Sequence, residues 1–193
     1  MSLTLDGKRQ KSDFDLPMTL EVGGKEFPIN TDFRDVLLIL SVFDDEELTP
    51  DEKGYLCLVL LYKTDNILEL GDLNEAADKA CWFLDWGKSY KNKENRPKLL
   101  DWNKDYNSII AAVNQQVKTV EDVRELPYLH WWTFLGYFSE RSDKCHFSTI
   151  TKIREKLNKG TKLDKWEMQI LKENREEIII DNDENFEDEL WGD

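Results

Sequence analysis

Between Tyr128 and Phe138, eight of eleven residues are large and apolar: Tyr128, Leu129, Trp131, Trp132, Phe134, Leu135, Tyr137 and Phe138. No single face of a helix or strand holds them all. A helix that is apolar all round is stable only where other elements cover it. The run, predicted as a helix over about Pro127 to Ser139, must therefore be the hub of a core that the rest of the chain builds.

The rest supplies amphipathic helices. Thr31 is placed to cap one whose apolar positions Phe33, Val36, Leu37, Leu40 and Phe43 recur at threes and fours, ending in the acidic run Asp44 to Glu47. Thr49-Pro50-Asp51-Glu52 is a sharper start: hydroxyl at the N-cap, proline at N1, Glu52 at N3, acids on the positive end of the dipole. Tyr55, Leu56, Val59, Leu60 and Tyr62 or Lys63 are then the expected inward face. Gly71-Asp72 opens a third helix, with Leu73, Ala76, Ala77, Ala80, Phe83 and Leu84 inward and Gly87 closing it.

Lys88 to Lys98 has no apolar period and reads as a solvated, mobile loop, the one basic cluster of note. A fourth helix is predicted over about Leu99 to Val117. A sixth begins at Phe147-Ser148 and runs through Ile150, Ile153 and Leu157. A last one, Leu163 to about Glu177, should turn Trp166, Ile170 and Leu171 inward. Before all of these, Gly23-Gly24 between Thr19–Val22 and Lys25–Ile29 has the chemistry of a two-residue hairpin turn. Pro28 cannot donate to a ladder and marks an edge.

The expected fold class is thus mainly α, a helical bundle-like single domain with a short N-terminal β-hairpin. Residues 1–17 form a partly flexible lead-in, 18–177 the helical domain with the hairpin at 19–29, and 178–193 an acidic C-terminal tail. A length of 193 residues fits that plan at roughly 150 residues per domain. No stretch reaches the ~20 apolar residues that span a bilayer, and no secretory signal pattern opens the chain.

The net charge of −14 argues against a duplex-binding or acidic-membrane partner. Half of it sits in Asp181 to Asp193, which has seven acids and no base. Phe186, Leu190 and Trp191 interrupt that run, which makes it an acidic arm with apolar anchors and a candidate partner-binding segment. Its alternative is a disordered end without function.

Little points to catalysis or a cofactor. The nine glycines form no nucleotide loop, and there is no G-x-S-x-G elbow. Cys57, Cys81 and Cys145 lack a C-x-x-C pair and read as reduced, mostly buried thiols. Cys145-His146 has no second pair to complete a zinc site. His130 reads as a core or rim histidine whose nitrogens need partners, rather than as a base. The carboxylates are too abundant for any pair to signal glycosidase chemistry, and the tryptophans read as core rather than a sugar platform. The expectation is no catalytic, metal or cofactor site.

Leu129-His130-Trp131-Trp132-Thr133-Phe134, with Phe27-Pro28-Ile29-Asn30-Thr31-Asp32-Phe33-Arg34 after the hairpin, resembles the "gene product fifteen" family of tailed bacteriophages. The resemblance spans about Leu16 to Glu177, with Leu16-Pro17, Asp44-Asp45, Trp82-Phe83 and Phe147-Ser148 in the family's order. It implies a non-enzymatic phage morphogenesis protein, a tail assembly chaperone that binds the tape-measure protein and recruits tail-tube protein; the charge separately gives the expectation of no nucleic acid or membrane among its partners. It would act in the bacterial host cytoplasm, form an oligomer or not, and be absent from the mature virion. Two alternatives stand beside it: a structural tail or virion component or adaptor, and an acidic nucleic-acid-mimicking inhibitor.

Overall fold

The computed structural model describes residues 15–88 and 98–180. The chain is mainly helical with one two-stranded hairpin, in the order β1 (Thr19–Val22), β2 (Lys25–Pro28), α1 (Phe33–Asp44), α2 (Pro50–Leu61), α3 (Leu73–Leu84), α4 (Tyr106–Asn114), α5 (Trp131–Ser139), α6 (His146–Asn158), α7 (Lys165–Glu173) and α8 (Arg175–Ile178). Short 3-10 turns lie at Ile67–Leu70 and Val123–Glu125. Among the described residues two compact units emerge: one of 15–42, 47–88 and 128–133, the other of 43–46, 98–127 and 134–180. Among the described residues, no helix is long and apolar enough to cross a membrane.

The first unit is built on the hairpin. Its register pairs Thr19 with Pro28 and Val22 with Lys25, and Gly23 and Gly24 both take positive φ, 57° and 77°. That is the turn conformation a Gly-Gly pair reaches without the steric cost a side chain would add. The hairpin buries Leu20, Val22 and Phe27. α3 lies along β1, where the buried small residues Ala76 and Ala80 permit close approach, and Glu75 accepts the Gly23 N–H at 2.9 Å.

α2 carries the predicted capping box in full. The Thr49 hydroxyl accepts from Glu52 N–H, and the Glu52 carboxylate accepts from Thr49 N–H at 2.9 Å. α3 is capped by Asp72, which accepts from Asn74 and Glu75 N–H.

Several expectations are corrected here. Thr31 does not cap α1: Asp32 accepts the Arg34 N–H, while the Thr31 hydroxyl lies 2.8 Å from the Tyr128 hydroxyl. Phe43 is exposed and Ile39 takes the buried place on α1. Leu73 is exposed as well. On α2 the buried residues are Cys57, Leu58 and Leu61, with Tyr62 just beyond as expected; Tyr55 and Val59, expected inside, are exposed, and Leu56 and Leu60 are half-buried. Burial pushes the Cys57 thiol up to about 12, so it stays protonated near neutrality; Cys81, by contrast, is exposed.

The second unit packs α4 on α6, and α6 and α7 on α8. Ile150, Ile153, Leu163, Leu171 and Ile178 form its buried cluster, and the Phe138 and Phe147 rings meet edge-on at 5.0 Å. The fourth helix is shorter than predicted because Asp101 takes the N–H groups of Asn103 and Lys104, making a separate turn ahead of Tyr106. The last predicted helix breaks at Asn174 into α7 and α8. Trp166 is 61% exposed rather than inward; Glu167 is buried instead, paired with Lys156.

Candidate functional site

The two sequence segments that carry the resemblance meet in the first unit. Ile29 bridges Tyr62 and Asp32 bridges His130 as isolated antiparallel contacts. Asn30 closes the end of α2, its N–H donating to Leu61 C=O at 2.7 Å and its Nδ2 to Leu60 C=O at 2.8 Å. The next residues bind the second segment: Trp131 N–H donates to Thr31 C=O at 2.7 Å, Phe33 N–H to Leu129 C=O at 2.9 Å, and Leu129 N–H to the Asp32 carboxylate at 3.2 Å. Burial opposes ionisation of Asp32, yet the bonds from Arg34 and Leu129 and the Arg34 charge hold its carboxyl below the usual range.

Because Leu129 and His130 serve this bridge, the predicted fifth helix begins only at Trp131. His130 is fully used. Its Nδ1 accepts the Trp132 N–H at 3.0 Å, which leaves the proton on Nε2, 3.0 Å from the Pro17 carbonyl. Burial drives the imidazole below its ordinary value, with the Pro17 bond opposing in part. The histidine is a neutral tie holding the end of the lead-in.

Trp131 and Trp132 donate their indole N–H groups to the Leu84 and Phe83 carbonyls, at 3.0 and 2.8 Å, satisfying the open C-terminal end of α3. Beyond it Trp86 and Gly87 both take positive φ, and Gly87 sits under Trp132, where a Cβ would approach the ring to 3.0 Å. This constellation has the geometry of a scaffold, with its polar groups turned on one another.

Among its exposed charged residues the first unit also presents large apolar side chains. Of the eleven large hydrophobic residues exposed among the described ones, nine belong to it: Leu16, Met18, Leu38, Tyr55, Val59, Leu68, Leu73, Trp86 and Tyr128. The most ordered group is on α2, where Tyr55 (56% exposed) and Val59 (44%) lie one turn apart with half-buried Leu56 and Leu60 beside them. α2 is thus apolar on two faces, one of them uncovered among the described residues. Its position was missed because a helix apolar on both sides gives no period from which to choose a face.

In the second unit the polar centre is Arg154, with only 3% of its side chain exposed. All five guanidinium donors are engaged. Nη1 and Nη2 grip the Asp105 carboxylate at 2.7 and 2.8 Å, Nη1 also reaches Leu99 C=O, Nη2 Glu177 C=O, and Nε Ile178 C=O. Lys104 adds a bond to Ile179 C=O at 2.7 Å, and His146 Nε2 lies 3.0 Å from Glu177. These bonds fix the chain just before the acidic segment. Phe186, Leu190 and Trp191 themselves, like residues 89–97 of the basic loop, lie outside the described residues.

No three His, Cys, Asp or Glu side chains group to hold a metal among the described residues. Cys145 instead lies 3.3 Å from the Ser148 hydroxyl. Lys98, at the end of the basic loop, is bound to Asp44 and Asp101 at 2.8 and 3.1 Å.

No curated protein and no solved structure matches the chain. The sequence profile of the family described as Bacteriophage Gp15 protein matches residues 13–176, which take in both interlocked segments and the Asp105–Arg154 pair. The chain belongs to the bacteriophage Gp15 family.

Proposed function

We propose that the protein is a non-enzymatic phage morphogenesis factor, a tail assembly chaperone that shields the apolar stripes of the helical tape-measure protein while tail-tube protein is recruited. The supporting observation is the concentration of exposed apolar side chains in the first unit, on the surfaces of α1, α2 and α3 as well as the hairpin end. An amphipathic client helix is recognised by apolar side chains presented at helical spacing, and Tyr55 with Val59 present them so. Much of the polar machinery described above is consumed by structure, since His130, Asp32 and Arg154 each have partners inside their own unit.

The acidic segment with Phe186, Leu190 and Trp191 serves in this reading as an additional client-binding arm, rooted by Arg154. The reading is tested by co-expressing the full chain with the tape-measure protein of the same phage. Co-purification of the two, together with absence of this chain from purified particles by mass spectrometry, is the expected result. If both proteins remain in solution without associating, the chaperone role is wrong. Retention in the particle would make the protein a virion component. Removing residues 181–193 should weaken capture, and unchanged capture would strike out the arm.

A further inference from the structure

We propose that the exposed corner between α6 and α7 is the resting site of the chain's own acidic segment, residues 181–193. In a chain of net charge −14, residues 141–175 are the exception, with ten Lys and Arg against five Asp and Glu. One of the ten, Arg154, is buried on Asp105. At the corner Lys159, Lys162 and Lys165 are all exposed, and Trp166 beside them is 61% uncovered. The acids there are already engaged: Asp164 accepts the Trp166 and Glu167 N–H groups, Glu155 pairs with Lys159, and Glu167 pairs with Lys156. Lys162 and Lys165 form no side-chain hydrogen bond or ion pair among the described residues. An indole with a large area to cover, set among lysines, suits an acidic segment that carries apolar anchors.

The segment begins next to this corner. Leu163 and Ile178 belong to one buried cluster, with Ile170 and Ile179 packed against it. Leu163 follows Lys162 directly, and Ile170 lies one helical turn from Trp166, so the chain enters residue 181 from the cluster on which the corner rests. Arg154 fixes that exit by donating to the Glu177 and Ile178 carbonyls. Lys159 stands only about 7.5 Å farther along α6, at 1.5 Å per residue. From Ile180, Phe186 can extend up to about 20 Å and Trp191 up to about 36 Å, at 3.3 Å per residue. The corner is within reach of all three anchors.

The chemistry matches on both counts. Seven acids and no base meet the lysines, while Phe186, Leu190 and Trp191 supply apolar partners for Trp166 and half-buried Ile170. The apolar side chains of the first unit are a poorer match, since they stand among fourteen acids and six bases. Exposed ion pairs are individually weak, so the hold depends on the tether. A ligand joined to its site by a few residues meets it at about millimolar effective concentration. Docked in this way, the segment covers Trp166 and its own three anchors while no client is bound, and a client that engages those anchors displaces it.

The test uses the full chain at physiological ionic strength with no client present, so its outcome is separate from that of the chaperone reading. Carbodiimide coupling joins a carboxylate directly to an amine that touches it. Mass spectrometry of the coupled monomer should find Lys162 or Lys165 linked to acids between Asp183 and Glu189. Amides of residues 183–191 should exchange several-fold more slowly in the wild type than in the double variant Lys162→Glu with Lys165→Glu, both at exposed positions. Trp166→Ala should fall between the two, with circular dichroism unchanged throughout. Salt at about 1 M, where the screening length is about 3 Å, should remove most of the protection. Links found only in dimers would put the segment on a second copy and overturn the contact within one chain. Equal exchange in the wild type and the folded double variant, or links to lysines elsewhere with none to the corner, would overturn it as well.

Discussion

His130 and Arg154 do the same job in the two units with opposite electrostatics. Each gathers distant stretches of chain: His130 joins Pro17 to the start of α5, and Arg154 joins Leu99, Asp105 and the Glu177–Ile178 backbone. The first tie is neutral and works by one donor and one acceptor. The second is a buried charge balanced by a buried charge. A neutral tie is lost to mild acid, whereas a charged tie is lost when one partner is removed and the other is stranded. The first unit, closed by main-chain bridges and indole donors, carries nine of the eleven large hydrophobics exposed among the described residues; the second, which holds Asp105–Arg154 and Lys156–Glu167, carries two.

The largest effect should come from stranding a charge. Arg154→Ala leaves the Asp105 carboxylate without its counter-charge, only the Asp101 N–H still donating to it, and three carbonyls without this donor, and should cost about 3–5 kcal/mol. Urea unfolding would give the loss, and peptide-resolved amide exchange should place it in residues 98–105 and 175–180. Replacing both partners, Arg154→Met with Asp105→Leu, should recover much of it. A cost below about 1 kcal/mol for Arg154→Ala would mean that the second unit does not depend on its charged centre.

The neutral tie should fail more gently. His130→Ala leaves the Trp132 N–H and Pro17 C=O unpaired, at about 1–3 kcal/mol, with exchange rising around 15–18 and 128–133. Its pH signature has a definite sign. Burial lowers the folded-state pKa of His130 below the ordinary value near 6.5, so the unfolded chain binds the proton first as pH falls. Stability is therefore complete above about 6.5 and declines from there down to the lowered folded value. His130→Gln should flatten that window in denaturation curves taken from pH 7.5 to 4.5. The contribution of Asp32, whose carboxyl is held low, is lost only on further acidification, below its model-peptide value near 3.9.

A smaller loss is expected at the N-cap. Thr49→Ala removes the hydroxyl that accepts the Glu52 N–H and should cost about 0.5–2 kcal/mol, measured as a lowered urea midpoint at constant slope. Here the chemistry is local, which is why both Thr49 and the Gly23-Gly24 turn were legible in the sequence: cap and turn are decided by residues within four positions of one another.

Some departures from expectation are local, such as the Asp101 turn ahead of α4, but others come from partners far away in the chain. Leu129 and His130 are extended because Asp32 pairs with them. Asp105, which precedes α4, is set by Arg154, 49 residues on. Trp166 is outside while the neighbouring Glu167 is buried, held by Lys156 eleven residues before it as well as by the Asp164 cap. On α2 both faces are apolar, so only the tertiary structure decides that Cys57, Leu58 and Leu61 go in. The outward stripe was visible as residues but not as surface.

The smallest effect has the opposite sign and concerns the same helix. Gly54 lies inside α2 at an ordinary helical φ, and a Cβ built there meets nothing within 4 Å. Glycine in a helix interior is unfavourable relative to alanine by about 0.5–1 kcal/mol, because more backbone freedom is lost on folding. Gly54→Ala should therefore stabilise the chain by about that amount, read as a raised urea midpoint. A loss of stability would instead show that the space beside Gly54 is filled in solution.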